Sequence, residues 1–160
     1  MLFRSEAVAT LEQALRIVRE TQTGEEARLL TLAHLAEAHL ALGDPARARE
    51  LAESAVAEAG RYRVLAAECY ARLVLARVLL ATGGAEGAAG VLERTLALVE
   101  ETGAACYAPF VRVERARLAR LAGDEAGYED EMRLARRLFS EMGATARAVG
   151  RLELGPRPGQ

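Results

Sequence analysis

The chain has 160 residues, of which 51% are hydrophobic and 4% aromatic, and its formal net charge at pH 7 is −2. This length fits one domain, and the near-neutral charge gives no indication of a general affinity for nucleic acids or membrane surfaces. The most apolar stretch, 64–81, carries Glu68, Arg72 and Arg77, which argues against a membrane span, and the first residues lack the apolar core of a signal peptide. We therefore predict a cytoplasmic protein without nucleic-acid or membrane partners.

Apolar residues recur at helical spacing along the whole chain, and no segment alternates in the manner of a strand. The helical patterns break at glycines, and capping residues such as Asp44, followed by Pro45, start the next pattern. These signals predict an all-α domain over 1–154 followed by a disordered tail at 155–160. The predicted helices span 4–21, 25–42, 45–59, 63–82, 85–101, 105–122 and 125–141, with a short capping helix at 145–153.

A glycine returns every 40 residues, at Gly43, Gly83 and Gly123, each directly after a helix rich in alanine and leucine. Gly103 and Gly143 keep the same interval. Periodicity of this length is typical of a solenoid of stacked antiparallel helix pairs. We predict repeats over about 25–60, 63–101 and 105–141, preceded by an unpaired helix at 4–21.

The repeats resemble tetratricopeptide repeats, whose consensus places Leu-Gly, an aromatic residue, a turn glycine and an alanine at fixed offsets. The first copy has Leu35-Ala36, His39, Gly43 and Ala48, the second has Leu75-Ala76, Leu79, Gly83 and Ala88, and the third departs more. The period of 40 exceeds the usual 34 and approaches that of HEAT repeats. We prefer the tetratricopeptide interpretation, because the glycine turn and the alanine after it match. The resemblance implies a right-handed superhelical solenoid.

The segment 118–144 is also similar to the C-terminal repeat arms of bacterial MalT-like, ATPase-linked regulators and of multidomain nucleotide cyclases. This similarity implies a sensor or docking arm in a signalling or regulatory system, and it does not imply a catalyst.

The tetratricopeptide resemblance implies that the first helix of each pair lines a concave groove for a protein or peptide. The groove positions would be Leu30, Ala33, Glu37, Leu40, Tyr70, Leu73, Arg77, Leu80, Phe110, Val113, Arg117 and Arg120. The strongest candidates for partner binding are Glu37, Tyr70, Arg77, Phe110, Arg117 and Arg120. Because arginine binds carboxylates bidentately, they favour an acidic, partly apolar ligand. The alternative is that Glu37 pairs with Arg77 and the arginines form a solvated face.

Two other functions remain open. An unpaired helix at 4–21 would expose Leu11, Leu15 and Val18, which favours homodimerisation or docking on a larger ATPase or cyclase core. A small-molecule sensor pocket within the superhelix is a further possibility.

No residue pattern indicates catalysis, a metal or a cofactor. His34 and His39 lie five positions apart, about 140° around a helix, so they do not converge on one metal ion. We expect His39 in the packing and His34 at the edge of the core or in the groove. The glycine-rich stretch 83–90 lacks the preceding strand and the Lys-Ser/Thr of a phosphate loop. Cys69 and Cys106 are predicted to be reduced thiols packed as small hydrophobes.

Overall fold

The computed structural model describes residues 2–21 and 24–144, and every regular element within them is helical. The helices are α1 (Leu2–Thr21), α2 (Glu25–Leu42), α3 (Pro45–Tyr62), α4 (Leu65–Ala81), α5 (Ala85–Thr102), α6 (Ala108–Leu121) and α7 (Glu125–Glu141), with a 3-10 helix (Ala105–Tyr107) before α6. The predicted capping helix at 145–153 and the tail at 155–160 lie outside the described residues. Among the described helices, none combines the length and the apolar character needed to cross a membrane.

Each helix packs against the next along the chain, and α4 also packs against α2 and α6. The helices α2, α4 and α6 therefore form one layer, and α1, α3, α5 and α7 lie beside it. The predicted small positions Ala36, Ala76 and Ala116 have no exposed surface, nor do Ala48 and Ala88 on the facing helices. A methyl group is the largest side chain that such close helix approach accepts, which explains the alanine at these positions.

The turns between paired helices have the predicted chemistry. Gly43, Gly83 and Gly123 have φ values of 82°, 80° and 74°, in the left-handed region that glycine enters without steric penalty. The carboxylates of Asp44 and Asp124 accept hydrogen bonds from backbone N–H groups in the first turns of α3 and α7. The 40-residue period of the sequence therefore marks the positions at which helices end.

The turn between α3 and α4 departs from the prediction. We expected α3 to end at residue 59, but it continues to Tyr62, because Gly60 adopts a helical conformation and the left-handed position falls on Arg63, at φ 57°. Arg63 occupies the position that Gly103 and Gly143 fill in the later repeats. The N–H of Val64 still bonds the carbonyl of Ala59 at 3.0 Å, so the helix closes with a strained residue in place of glycine.

The start of the third repeat also differs from the predicted helix 105–122. Residues 105–107 form the 3-10 helix, and α6 begins only at Ala108, with Pro109 in its first turn. Proline is tolerated there because its missing N–H would have no partner within the helix.

Helix α1 precedes the first helix pair, and its apolar face has a packing partner. It packs against α2, with Leu15 buried in the largest apolar cluster and Val8 and Leu11 packed against that cluster. Val18 is half-buried, whereas Ile17 is exposed. The proposed self-association surface of Leu11, Leu15 and Val18 is therefore largely used inside the chain.

Replacing Arg63 by glycine is expected to stabilise the fold. Relief of the left-handed strain contributes about 1–2 kcal/mol, of which the greater freedom of glycine in the unfolded chain offsets about 0.5–1 kcal/mol. Urea unfolding should show a higher midpoint for Arg63→Gly. The matched variant Arg63→Ala keeps the strain and should show no gain, and a lower midpoint for Arg63→Gly would contradict this account of the turn.

Leu15→Glu is expected to destabilise the monomer by about 3 kcal/mol or more, because it places a charge in a buried apolar contact. Ile17→Glu, on the exposed side of the same helix, should cost less than about 0.5 kcal/mol. Chemical unfolding measures the loss of stability, and light scattering shows any change of oligomeric state. Together they distinguish a packing role of Leu15 from a role in self-association. A Leu15→Glu variant with unchanged stability that converts a dimer to a monomer would restore the self-association surface.

Candidate ligand groove

A recess of about 390 Å³ lies on the layer formed by α2, α4 and α6. Residues from four elements line it: Leu30 and His34 of α2, Tyr70, Leu73 and Arg77 of α4, Tyr107 of the 3-10 helix and Phe110 of α6. We call this recess the ligand groove. Its size is within the range of small-molecule and side-chain binding sites, and most of its lining is apolar or aromatic.

The groove contains many of the predicted positions. The lining includes the predicted residues Leu30, Tyr70, Leu73, Arg77 and Phe110. His34, which we expected at the edge of the core or in the groove, also lines it and has an exposed side chain.

Tyr107 was missed by the sequence analysis. It falls in the 3-10 helix, and its counterpart one period earlier is the buried Ala67, so the periodicity gave no signal for it.

Other predicted groove positions lie elsewhere. Ala33 and Val113 are 0% and 4% exposed and belong to two apolar core clusters, not to the lining of the groove. Leu80 packs against the core cluster, and the guanidinium of Arg120 lies 3.6 Å from the ring centroid of Tyr128 on α7. These positions were predicted from a regular period, but equal spacing in the sequence does not give them equal exposure.

A chain of four charged side chains crosses the layer beside the groove. Arg77 donates from Nη1 to Glu37 and from Nε to Glu114, the latter at 2.8 Å, and Arg117 donates to both oxygens of Glu114 at 3.0 Å. We call the series Glu37–Arg77–Glu114–Arg117 the ion-pair chain. It joins α2, α4 and α6 through side chains that all lie on one layer.

The formal charges of the ion-pair chain balance, because it contains two carboxylates and two guanidinium groups. Glu114 is only 1% exposed, so its charge depends on these partners. Burial alone would lower the pKa of Arg77, but the carboxylates of Glu114 and Glu37 outweigh burial and hold that pKa above its ordinary value. The guanidinium groups of Arg77 and Arg117 are thus already paired with acids of this chain, as in the alternative in which Glu37 neutralises Arg77.

Tyr70 extends the ion-pair chain into the groove. Its hydroxyl donates to Oε2 of Glu37 at 2.7 Å and lies 2.8 Å from Nδ1 of His34. The rings of His34 and Tyr70 are also in contact, with centroids 4.7 Å apart. Burial raises the pKa of Tyr70 and the carboxylate of Glu37 raises it further, so the phenol stays protonated at any physiological pH.

The remaining candidates for chemistry are dispersed. His39 points towards the turn after α2, with Nδ1 3.5 Å from the carboxylate of Asp44, and does not line the groove. Within 2–21 and 24–144, no three His, Cys, Asp or Glu side chains come together in a group that could hold a metal ion.

The two cysteines have different environments. Cys69 is buried beside Leu98 and Val99, and burial, together with the charge of Glu68, raises the pKa of its thiol to about 11. Cys106 lies exposed in the 3-10 helix, so the prediction of a packed thiol holds for Cys69 and is wrong for Cys106.

Comparisons with known proteins give one structural likeness. No family model matches the chain, and no curated protein matches it. Among solved structures, the chain is similar to a variant of a protein described as a kinesin light chain from Podospora anserina with nearly identical TPR-like repeats, at 21% sequence identity and a TM-score of 0.42, over 88% of each chain.

The helix pairing defines the class of protein. Antiparallel helices packed in chain order, with left-handed turn glycines 40 residues apart, form an all-α repeat solenoid, which is the architecture that the tetratricopeptide resemblance implies. The similarity to MalT-like regulator arms stays a prediction.

Arg77→Ala is expected to destabilise the fold by about 2–3 kcal/mol, because it leaves the buried carboxylate of Glu114 with Arg117 alone. Arg94→Ala removes the exposed ion pair with Glu101 and should cost less than about 0.5 kcal/mol. Urea unfolding of the two variants measures both values. Equal losses would show that the ion-pair chain behaves as an ordinary surface pair.

Proposed function

We propose that the chain is a non-catalytic protein-interaction module that binds a peptide segment of a partner in the ligand groove. The observation that carries this proposal is the groove itself, an apolar and aromatic recess of about 390 Å³ built by α2, α4, the 3-10 helix and α6 on one layer of the solenoid. Helix layers of this kind present pre-formed surfaces, so a ligand meets little ordering cost in the protein.

The composition of the groove favours a partner with an apolar or aromatic side chain. Leu30, Leu73, Tyr107 and Phe110 supply apolar wall, and the one arginine of the lining, Arg77, is held by Glu37 and Glu114. A ligand carboxylate would have to compete with two carboxylates of this chain that are already in place. The arginine positions led us to expect an acidic ligand. In this proposal the ligand instead places a largely uncharged side chain in the groove.

The alternatives have less support. Of the residues predicted for self-association, Leu11 and Leu15 pack in the apolar core, and no described feature favours docking on a larger core over binding of a separate partner. A role in a bacterial signalling or regulatory system, in the cytoplasm, stays a prediction from the sequence.

A displayed library of random peptides, selected against the protein, tests the proposal. Leu30→Arg changes a half-buried side chain of the groove, and Leu121→Arg makes the same change at a residue that is 66% exposed at the end of α6. We expect selected peptides to bind wild type and Leu121→Arg equally and to bind Leu30→Arg at least about tenfold more weakly, as for loss of an anchor contact. Affinity is measured by calorimetry.

Circular dichroism melting curves serve as the control for folding, and Leu30→Ala provides a milder variant if Leu30→Arg melts early. Peptides that bind both groove variants as tightly as wild type would place the binding site elsewhere. A library without any enriched peptide would refute a peptide-binding groove.

A further inference from the structure

The hydrogen bonds around Tyr70 fix the position of a proton on His34. The Tyr70 hydroxyl has one proton and two neighbours, Oε2 of Glu37 at 2.7 Å and Nδ1 of His34 at 2.8 Å. The Glu37 carboxylate is paired with Arg77 and can only accept, so it takes the proton of Tyr70. Nδ1 of His34 must then be the donor to the hydroxyl oxygen.

This arrangement determines what His34 offers to a ligand. A neutral imidazole with its proton on Nδ1 has a free lone pair on Nε2 and is a hydrogen-bond acceptor there. The side chain of His34 is exposed and lines the ligand groove. The groove therefore combines apolar and aromatic walls with one acceptor nitrogen, whose tautomer is set by the network behind it.

We propose that Nε2 of His34 is the specificity-determining acceptor of the groove and that it selects a tyrosine side chain of the partner peptide over phenylalanine. This inference rests on the proposed function. The phenol ring occupies the recess between Leu30 and Phe110, and its hydroxyl donates to Nε2 of His34. One aromatic side chain suits a recess of about 390 Å³, and a buried tyrosine hydroxyl needs a hydrogen-bond partner.

The same geometry disfavours the charged alternatives. A carboxylate has no proton to donate and would face the lone pair of Nε2. An ammonium group could donate, but it would lose its hydration in a recess whose lining contains no carboxylate to pair with it. A neutral aromatic ring with a hydroxyl donor avoids both problems. A site with a placed acceptor also discriminates against the analogue that lacks the hydroxyl.

Matched peptides test the selection. A displayed nonapeptide library with tyrosine fixed at the central position is selected on wild type, and the best peptide is synthesised with tyrosine, phenylalanine or O-methyltyrosine there. We expect the tyrosine peptide to bind roughly three- to tenfold more tightly than the other two, as one net neutral hydrogen bond allows. His34→Ala should abolish the preference, whereas His39→Ala, the same change at the chain's second histidine, should preserve it.

The tautomer is measured independently of any peptide. Nitrogen-15 NMR of the imidazole rings, assigned with the His34→Ala and His39→Ala variants, should show the proton of His34 on Nδ1 in wild type. Tyr70→Phe removes the hydroxyl that holds it and should shift His34 towards the Nε2–H form. A wild-type His34 protonated on Nε2 would overturn the inference.

The outcomes separate this inference from the proposed function. Equal affinity for the tyrosine and phenylalanine peptides, with both lost in Leu30→Arg, overturns the selection by His34 and leaves the groove as a peptide site. A tyrosine preference that persists in His34→Ala also overturns it. Failure of every peptide to bind wild type overturns both proposals.

Discussion

Close approach of helices through alanine is the constraint on which the rest of this structure depends. Ala36, Ala76 and Ala116 are fully buried at 40-residue intervals, so each helix of the α2, α4 and α6 layer has only a methyl group at the same buried position. A larger side chain at one of these positions would push the pair apart and change the offset of the next helix. The alanines thus set the spacing at which longer side chains on the same layer meet.

The ion-pair chain follows from that spacing. Glu37 and Arg77 are one period apart and come into contact, and Arg77 then reaches Glu114 on the third helix of the layer. Burial of Glu114 costs desolvation energy that its two arginine partners offset, so the net contribution to stability is small, whereas loss of one partner is costly. Such an arrangement penalises a shifted register of α4 against α2 or α6 far more than it stabilises the correct one.

The sequence predicted the elements that depend on local signals. Helices α2 and α7 have the predicted bounds, because a glycine or an aspartate marks their ends. The left-handed turn at Arg63 was not predicted, because no glycine marks it in the sequence. The predicted end of α3 therefore lies three residues before the observed one.

The groove was predicted only in part, and the burial of Leu15 on α1 was not predicted, because both depend on contacts between helices. Helix α3 packs against both α2 and α4, and α5 against both α4 and α6, whereas α1 packs against the helix that follows it. The ion pair between Arg77 and Glu114, which lie 37 positions apart, likewise cannot be predicted from a local sequence pattern.

In the proposed function, the same ion-pair chain determines which ligands suit the groove. By neutralising Arg77, it removes the charge that would otherwise dominate recognition, so that shape and directed hydrogen bonds remain as sources of selectivity. Through Tyr70 it also orients the one histidine in the recess. A recess that holds a single side chain supplies only a few kcal/mol of binding energy, most of which is offset by the loss of freedom of the ligand. Tight binding of a partner would therefore require further contacts along the layer of α2, α4 and α6, with the groove acting as the anchor that sets the register.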